Sequence, residues 1–212
     1  MQIQGKVGPA AAMKSLADGS SNIDVRLGNM QDVIMSELHG RYYENAYRRN
    51  LYSGGNTTGM VTTVGTAAIN TGLCLTNPIG NTFNLVLLKA GFALTVAQPA
   101  AAAIGLMTSY SAATAVTQTT PLVPANNFVG LGQAPTGLLA SSVTAPNAFT
   151  LRKILAAAGT AAITAVALQA LTFFDCEGSI ILPPGACVAF YTSSVTGAAS
   201  FFGSFTWEEV PV

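Results

Sequence analysis

Apolar residues recur at every second position in two stretches of the chain, which is the spacing of a β-strand with one buried face. In the first stretch, positions 85–96, the apolar parity consists of Val86, Leu88, Ala90, Phe92, Leu94 and Val96. Near the C-terminus, Phe201, Phe205 and Trp207 share one parity, while Ser204, Thr206 and Glu208 occupy the other. Both stretches predict strands that pack one face against a core.

Further apolar runs predict a fold of about eight to ten short strands. The candidates are positions 60–66, 73–76, 102–110, 128–131, 161–173, 180–182 and 187–191. The last two flank Pro183-Pro184-Gly185, where proline presets φ and glycine supplies a positive φ for a type II turn. This pattern predicts a mainly β protein whose positions 51–212 form one antiparallel β-sandwich of jelly-roll type. Positions 117–147 are rich in Pro, Asn and Gly and predict a long irregular loop.

The N-terminal quarter of the chain follows a different period. Apolar residues recur there at spacings of three and four, which predicts an amphipathic helix of about four turns. These residues are Ile23, Leu27, Met30, Ile34 and Leu38. Asn22 suits the N-cap of this helix, so positions 22–50 are assigned to a helical segment. Positions 1–21 have few apolar side chains and predict an extended, flexible arm.

Charged residues become scarce after position 49. Between Asn50 and Phe174 only Lys89, Arg152 and Lys153 are charged, whereas about a quarter of the residues in an ordinary soluble domain are. A surface this neutral is typical of a chain that is covered by a bilayer or by other protein subunits. The net charge is zero, which argues against nucleic acid as the partner.

Two uncharged stretches, positions 90–116 and 154–171, are long enough to cross a bilayer as helices. The first contains Gln98 and Pro99, and the second consists largely of alanine with Thr160, Thr164 and Gln169. Neither has an aromatic belt or a clear asymmetry of Lys and Arg between its two flanks. The sequence therefore favours protein over membrane as the partner, and a small membrane protein stays as the alternative from a different class.

The densest charged and aromatic segment follows the predicted helix. Its candidate protein-interface residues are Arg41, Tyr42, Tyr43, Glu44, Tyr47, Arg48 and Arg49. Tyrosine and arginine are the residue types most enriched at interface hot spots. On a helix Tyr43 and Tyr47 share a face, as do Glu44 and Arg48. The competing interpretation is that these tyrosines only pack the helix onto its own sandwich.

Reactive side chains are not arranged for catalysis. His39 is the only histidine, so it cannot complete the usual zinc sites, and nothing in the sequence supplies the partners of a catalytic triad. The three cysteines, Cys74, Cys176 and Cys187, lack CxxC spacing and fit a reduced cytosolic origin. Adjacent carboxylates on a strand, such as Glu208 and Glu209, face opposite sides and cannot flank one substrate. The sequence predicts a non-enzymatic protein without cofactor or metal.

Four segments of the chain are distinctive as a set: HGRYYENAYRRNLY from His39, LVLLKAG from Leu85, GSIILPPG from Gly178 and FTWEEVP from Phe205. Together they resemble a family of tailed-phage virion structural proteins of the capsid cement or decoration type. The resemblance extends from about Glu37 to the end of the chain, and it brings no catalytic residue.

This resemblance implies a virion component that binds and stabilises the shell of the major capsid protein after assembly in the host bacterial cytoplasm. By the same analogy it implies a homo-oligomer, with a trimer favoured. The alternatives are a head-fibre or tail subunit, with the loop at positions 117–147 as the candidate receptor-binding element, and a small phage membrane protein.

Overall fold

A computed structural model describes Gly5–Lys6, Val25–Arg26 and positions 40–96, 98–130, 132–159, 172–198 and 200–212. The chain divides into two compact units, Met1–Arg41 and Tyr42–Val212. Within the first unit, β1 (Gly5–Lys6) pairs in parallel with β2 (Val25–Arg26).

The helix predicted from Ile23 is wrong at Val25–Arg26. The backbone of these two residues pairs with β1, so it cannot make the internal hydrogen bonds of a helix there. The other positions of that helix up to His39, its proposed cap Asn22, and the arm at positions 1–21 apart from Gly5–Lys6 lie outside the described residues. Within positions 40–50 the structure forms one short helix, α1 (Tyr43–Tyr47).

The second unit contains two antiparallel sheets, so the prediction of a mainly β protein is confirmed. The strands of the first half are β3 (Leu51–Gly55), β4 (Ile69–Thr76), β5 (Phe83–Leu94), β6 (Ala102–Tyr110), β7 (Thr117–Gln118), β8 (Pro121–Leu122) and β9 (Ala125–Asn126). Those of the second half are β10 (Leu138–Thr144), β11 (Thr150–Ala158), β12 (Thr172–Leu182), β13 (Ala186–Thr192) and β14 (Phe201–Pro211).

The seven-stranded sheet has the order β11-β6-β13-β4-β10-β7, with β8 also paired to β10, and the five-stranded sheet has the order β12-β5-β14-β3-β9. Three successive strands pair with three later strands in reverse order: β4 with β13, β5 with β12 and β6 with β11. The last strand, β14, then joins the free side of β5.

The main core lies between the two sheets and makes them a sandwich-like pair. Phe190 of β13 stacks on Phe205 of β14 at 4.8 Å between ring centroids, and it meets Phe201 edge-on at 5.2 Å. In β14 the odd-numbered residues from Phe201 to Glu209 are buried and the residues between them are half-buried. The period-two prediction for this strand is therefore confirmed.

The predicted parity of β5 holds only from Ala90 to Leu94, since Val96 lies beyond the strand and is exposed. Lys89 pairs with Thr206 but Leu87 pairs with Trp207, so Leu88 is an extra residue in a β-bulge. Because a bulge reverses which face each later residue occupies, Leu85 and Leu87 belong to the main core together with Ala90, Phe92 and Leu94. Val86, which the sequence pattern places in the core, is only half-buried.

Two predicted strands are wrong and one lies mostly outside the described residues. Positions 60–66 form only isolated bridges at Met60 and Val64, and positions 128–130 form a turn, with Leu131 outside the description. Of the candidate at positions 161–173, only Thr172 and Phe173 are described, at the start of β12. The turn after Pro183 is confirmed, since Gly185 has φ +88° and the Ala186 amide donates to the Pro183 carbonyl at 2.9 Å.

The irregular loop predicted at positions 117–147 contains β7, β8, β9 and a fully paired strand, β10. One side of β10 faces a second buried cluster that includes Cys74, Met107, Phe149 and Cys187. The seven-stranded sheet is thus buried on both faces at this point, which removes the alternation of polar and apolar residues that reveals a strand in the sequence.

Candidate protein-binding surface

Helix α1 ends in a tight backbone turn that fixes the residues following it. The Arg49 amide donates to the Ala46 carbonyl at 3.0 Å and the Asn50 amide donates to the Asn45 carbonyl at 3.1 Å. Arg49 itself has φ +66°. This is a Schellman motif with arginine at the left-handed position that glycine usually occupies, so the chain enters β3 with the Arg49 side chain in a defined place.

Side chains from both sides of α1 tie it to the outer face of the five-stranded sheet. Asn45 donates its amide to the Glu208 carboxylate at 2.8 Å. The Tyr42 hydroxyl lies 3.2 Å from each oxygen of Asp175, and the Lys89 ammonium lies 4.9 Å from the centre of the Tyr42 ring. A helix of five residues has no stability of its own, so these contacts hold it in place.

The exposed side of this region carries a row of aromatic rings and one guanidinium, which we call the aromatic row: Tyr43, Tyr47, Phe128 and Arg49. Tyr43 and Tyr47 stack with their ring centroids 5.9 Å apart. Phe128 packs edge-on against Tyr47 at 6.2 Å, and the Arg49 guanidinium lies 5.4 Å from the Phe128 ring. Tyr43 is 41% exposed and Tyr47 is 46% exposed, so both side chains remain partly accessible to a partner.

The structure brings most of the predicted interface residues together. Tyr43 and Tyr47 share a face as predicted, whereas Tyr42 is half-buried against its own sheet. Arg41 and Arg48 are exposed in the turns before and after α1 and make further contacts. The side chain of Glu44 lies outside the description, so the predicted Glu44–Arg48 pair remains a prediction.

Sequence reasoning missed four residues of this surface: Phe128, Asn126, Lys89 and Asp175. Asn126 donates its amide to the Arg49 carbonyl at 2.6 Å and, two residues later, Phe128 completes the aromatic row. These residues come from β5, β12 and the segment around β9, and only the fold places them beside α1. Asn126-Asn127, ahead of an isolated aromatic residue, was the one local signal of an ordered turn.

The chemistry of this surface suits contact with another protein. Tyrosine and phenylalanine rings offer flat apolar area with little rotamer freedom to lose, and arginine adds a planar donor group. The described residues contain no group of three or more potential metal ligands, and none of their helices has the length and apolar content to cross a bilayer. The cysteines are free and buried, and the pKa of Cys74 is raised by its hydrogen bond with Cys187 and by burial.

Glu208, which holds α1 through Asn45, is partly desolvated, and this burial raises the pKa of its carboxyl. The folded state therefore holds the Glu208 proton more tightly than the unfolded state. Below the pKa of Glu208 in the unfolded chain, the protonated carboxyl makes its full contribution to the stability of the fold. This contribution is lost as the pH rises through the raised pKa of Glu208 in the folded state.

We expect Glu208→Gln to raise the melting temperature at pH 7 slightly, because the neutral amide retains an acceptor for Asn45 and avoids the cost of ionisation. At pH 3 both side chains are neutral and the two proteins should melt together. Thermal melts followed by circular dichroism across this pH range measure the difference. An equal gain at both pH values would contradict the assigned cause.

Comparisons with known proteins give no match: no protein-family model, curated protein or solved structure is similar to this chain.

Proposed function

We propose that this protein is a non-enzymatic structural component of a tailed-phage virion, a cement or decoration protein that binds the shell of the major capsid protein and stabilises it. The observation that carries the proposal is the aromatic row, in which exposed Tyr43, Tyr47 and Arg49 join half-buried Phe128 on the outer face of the five-stranded sheet. The sequence resemblance described above supplies the class of partner.

Preorganisation of the aromatic row supports a role in binding. Its members are fixed before a partner arrives, by ring stacking and by the hydrogen bond from Asn126 to the Arg49 carbonyl. A surface that is already ordered loses little conformational entropy on association, so more of its contact energy appears as affinity.

The scarcity of charged residues supports a role as a subunit of a larger protein assembly. The second unit exposes large apolar side chains at several separate places, among them Val123 at 96%, Val129 at 90%, Ile69 at 65% and Phe173 at 61%. Such a surface with few charges is better covered by other subunits than by water. Val123 and Val129 lie in the segment between β7 and β10, which also suits the alternative of a fibre or tail subunit.

The strand pairing supports the finer fold proposal, a jelly roll. In a jelly roll a long hairpin is rolled up, so that successive strands of its first arm pair with strands of its second arm in reverse order. The pairs β4–β13, β5–β12 and β6–β11 follow this rule.

We expect the purified protein to form a closed homo-oligomer, with a trimer favoured, because exposed apolar area and low charge favour burial between like subunits. Light scattering coupled to size exclusion at micromolar concentration measures the mass. A mass three times that of the chain is expected, and a stable monomer would count against self-assembly.

The variant that tests the aromatic row is Tyr43→Ala combined with Tyr47→Ala. We expect it to weaken capsid binding by about 2 kcal/mol or more, since truncating hot-spot tyrosines removes their whole contact area. Circular dichroism melts should change little, because both rings are exposed.

Arg49→Gly is the second variant and tests the contribution of the Arg49 guanidinium to binding. Glycine accepts the left-handed conformation at this position without strain, so the loss of the contact with Phe128 is offset and stability should stay within about 1 kcal/mol. Binding should still fall. Undiminished capsid binding by both variants would remove the aromatic row from the interface.

Fractionation of cells that produce the particles separates the three classes of function. Co-sedimentation with intact virions, retained through a density gradient, is expected for a cement protein. Recovery with free tails or fibres would favour the alternative structural role, and recovery only in detergent-extracted membranes would overturn the proposal.

A further inference from the structure

A cleft opens into the sandwich on the side where the edge strands β11 and β12 lie. Its volume is about 390 Å³, and its walls include Thr108 of β6, Arg152 of β11 and Ser179 of β12. Leu182 and Ala186 also line it, and both belong to the main core. The cleft is therefore a mouth between the two sheets with an apolar floor.

A β-bulge places Arg152 at this mouth. Leu151 pairs with Met107 and Lys153 with Leu106, so Arg152 is the extra residue of β11. Bulges re-aim a side chain that would otherwise follow the alternation of the strand. The Arg152 Nε donates to the Thr108 hydroxyl at 2.6 Å, and Thr108 has the same parity as the core residue Leu106.

Arg152 is exposed where it lines the mouth. No Asp or Glu is among the described residues that line the mouth with it. Thr108 receives one of the five N–H groups of the guanidinium, and within the described part of the chain no hydrogen bond uses the terminal amino groups. A planar pair of donors that has no partner among the described residues, beside an apolar floor, is the arrangement that recognises a carboxylate attached to an apolar group.

We propose that the mouth binds a small amphipathic carboxylate. The carboxylate accepts from the terminal amino groups of Arg152, and the apolar part of the ligand covers Leu182 and Ala186. Tyr110, 54% exposed at the rim, offers its hydroxyl as a further donor. This site is separate from the aromatic row and does not depend on the proposed function.

The competing role for Arg152 is protection of the open edge. A charged side chain on an edge strand discourages pairing with another chain, and this role needs no ligand. The two roles differ in whether a neutral ligand of the same shape binds as well as the anion, and in whether the loss of the charge changes binding or only solubility.

Titration of the full-length protein with benzoate, followed by amide chemical shifts at constant ionic strength, tests the proposal. Benzamide is the neutral ligand of the same shape. We expect saturable shifts at positions 108–110 and 179–186 with benzoate and roughly tenfold weaker binding of benzamide. Absence of saturation, or equal affinity for the two ligands, would overturn the proposal without any variant being made.

Arg152→Gln and Lys153→Gln form the matched pair of variants. Lys153 neighbours Arg152 but lies over the Phe174 ring at 5.8 Å and is not part of the lining. Arg152→Gln should weaken benzoate binding roughly tenfold, and Lys153→Gln should leave it within about twofold. Equal benzoate affinity of Arg152→Gln and the parent protein, with or without aggregation, would leave edge protection as the role of Arg152.

Discussion

Replacing Trp207 by alanine is expected to lower the free energy of unfolding by about 3–5 kcal/mol. Trp207 is fully buried, and its ring stacks on Tyr52 at 6.0 Å. The site cannot collapse around alanine, because Trp207 lies between paired strands on both sides, β5 and β3. Urea denaturation followed by far-ultraviolet circular dichroism is the suitable measurement, since the substitution removes the only tryptophan.

Two controls separate the cavity from other effects of changing Trp207. Trp207→Phe keeps most of the ring volume and should cost clearly less than Trp207→Ala. Val210→Ala changes the same strand at a residue that is 37% exposed and should lie within about 0.5 kcal/mol of the parent protein. A loss below about 1 kcal/mol for Trp207→Ala would mean that this part of the core is loosely packed.

Glu209→Ala is expected to cost about 3–5 kcal/mol, because it leaves several buried donors without an acceptor. Glu209 is buried, with 4% of its surface exposed. It accepts from the Thr136 amide at 2.8 Å, from the Thr136 hydroxyl at 2.8 Å and from the Gly137 amide at 2.9 Å. These bonds fasten the segment that leads into β10 onto β14, and so join one sheet to the other.

The neighbouring carboxylate supplies the control for Glu209. Glu208→Ala removes a carboxylate on the opposite, outer face and should cost about 1 kcal/mol or less. Trp207 lies beside Glu209, with its indole nitrogen 3.4 Å from the carboxylate, so its fluorescence reports directly on this region. If Glu209→Ala and Glu208→Ala destabilised the protein equally, the buried network would not be a structural link.

Residues 205–209 have a structural role on both faces of β14. Phe205 and Trp207 fill the core, Glu209 holds the segment before β10, and Glu208 holds α1 through Asn45. One strand thus positions both the main core and the candidate binding surface.

Regular alternation of apolar and polar residues allowed part of the fold to be predicted from the sequence. β14 and the second half of β5 each bury one face, and the turn at Pro184-Gly185 has a local chemical cause. β10 and β11 were missed for different physical reasons. β10 lies where its sheet is buried on both faces, and β11 carries two bulges, at Arg152 and at Leu155, that break its period of two.

The candidate surface was predictable only as far as local spacing extends. Helical spacing pairs Tyr43 with Tyr47, and this pair is stacked in the structure. The partners that complete the surface, Phe128, Lys89 and Asp175, are at least 40 positions away in the sequence. Their approach depends on the order of strands in the sheet, which no local pattern encodes.

The most direct test of the cement proposal is to add the purified protein to capsids that lack it and to measure both bound copies and capsid stability. We expect binding to saturate at a fixed number of copies per capsid and to raise the temperature at which the shell releases its DNA. The variant carrying Tyr43→Ala and Tyr47→Ala should do neither at the same concentration. Failure of the parent protein to bind, or saturable binding that leaves the release temperature unchanged, would contradict a role in stabilising the capsid.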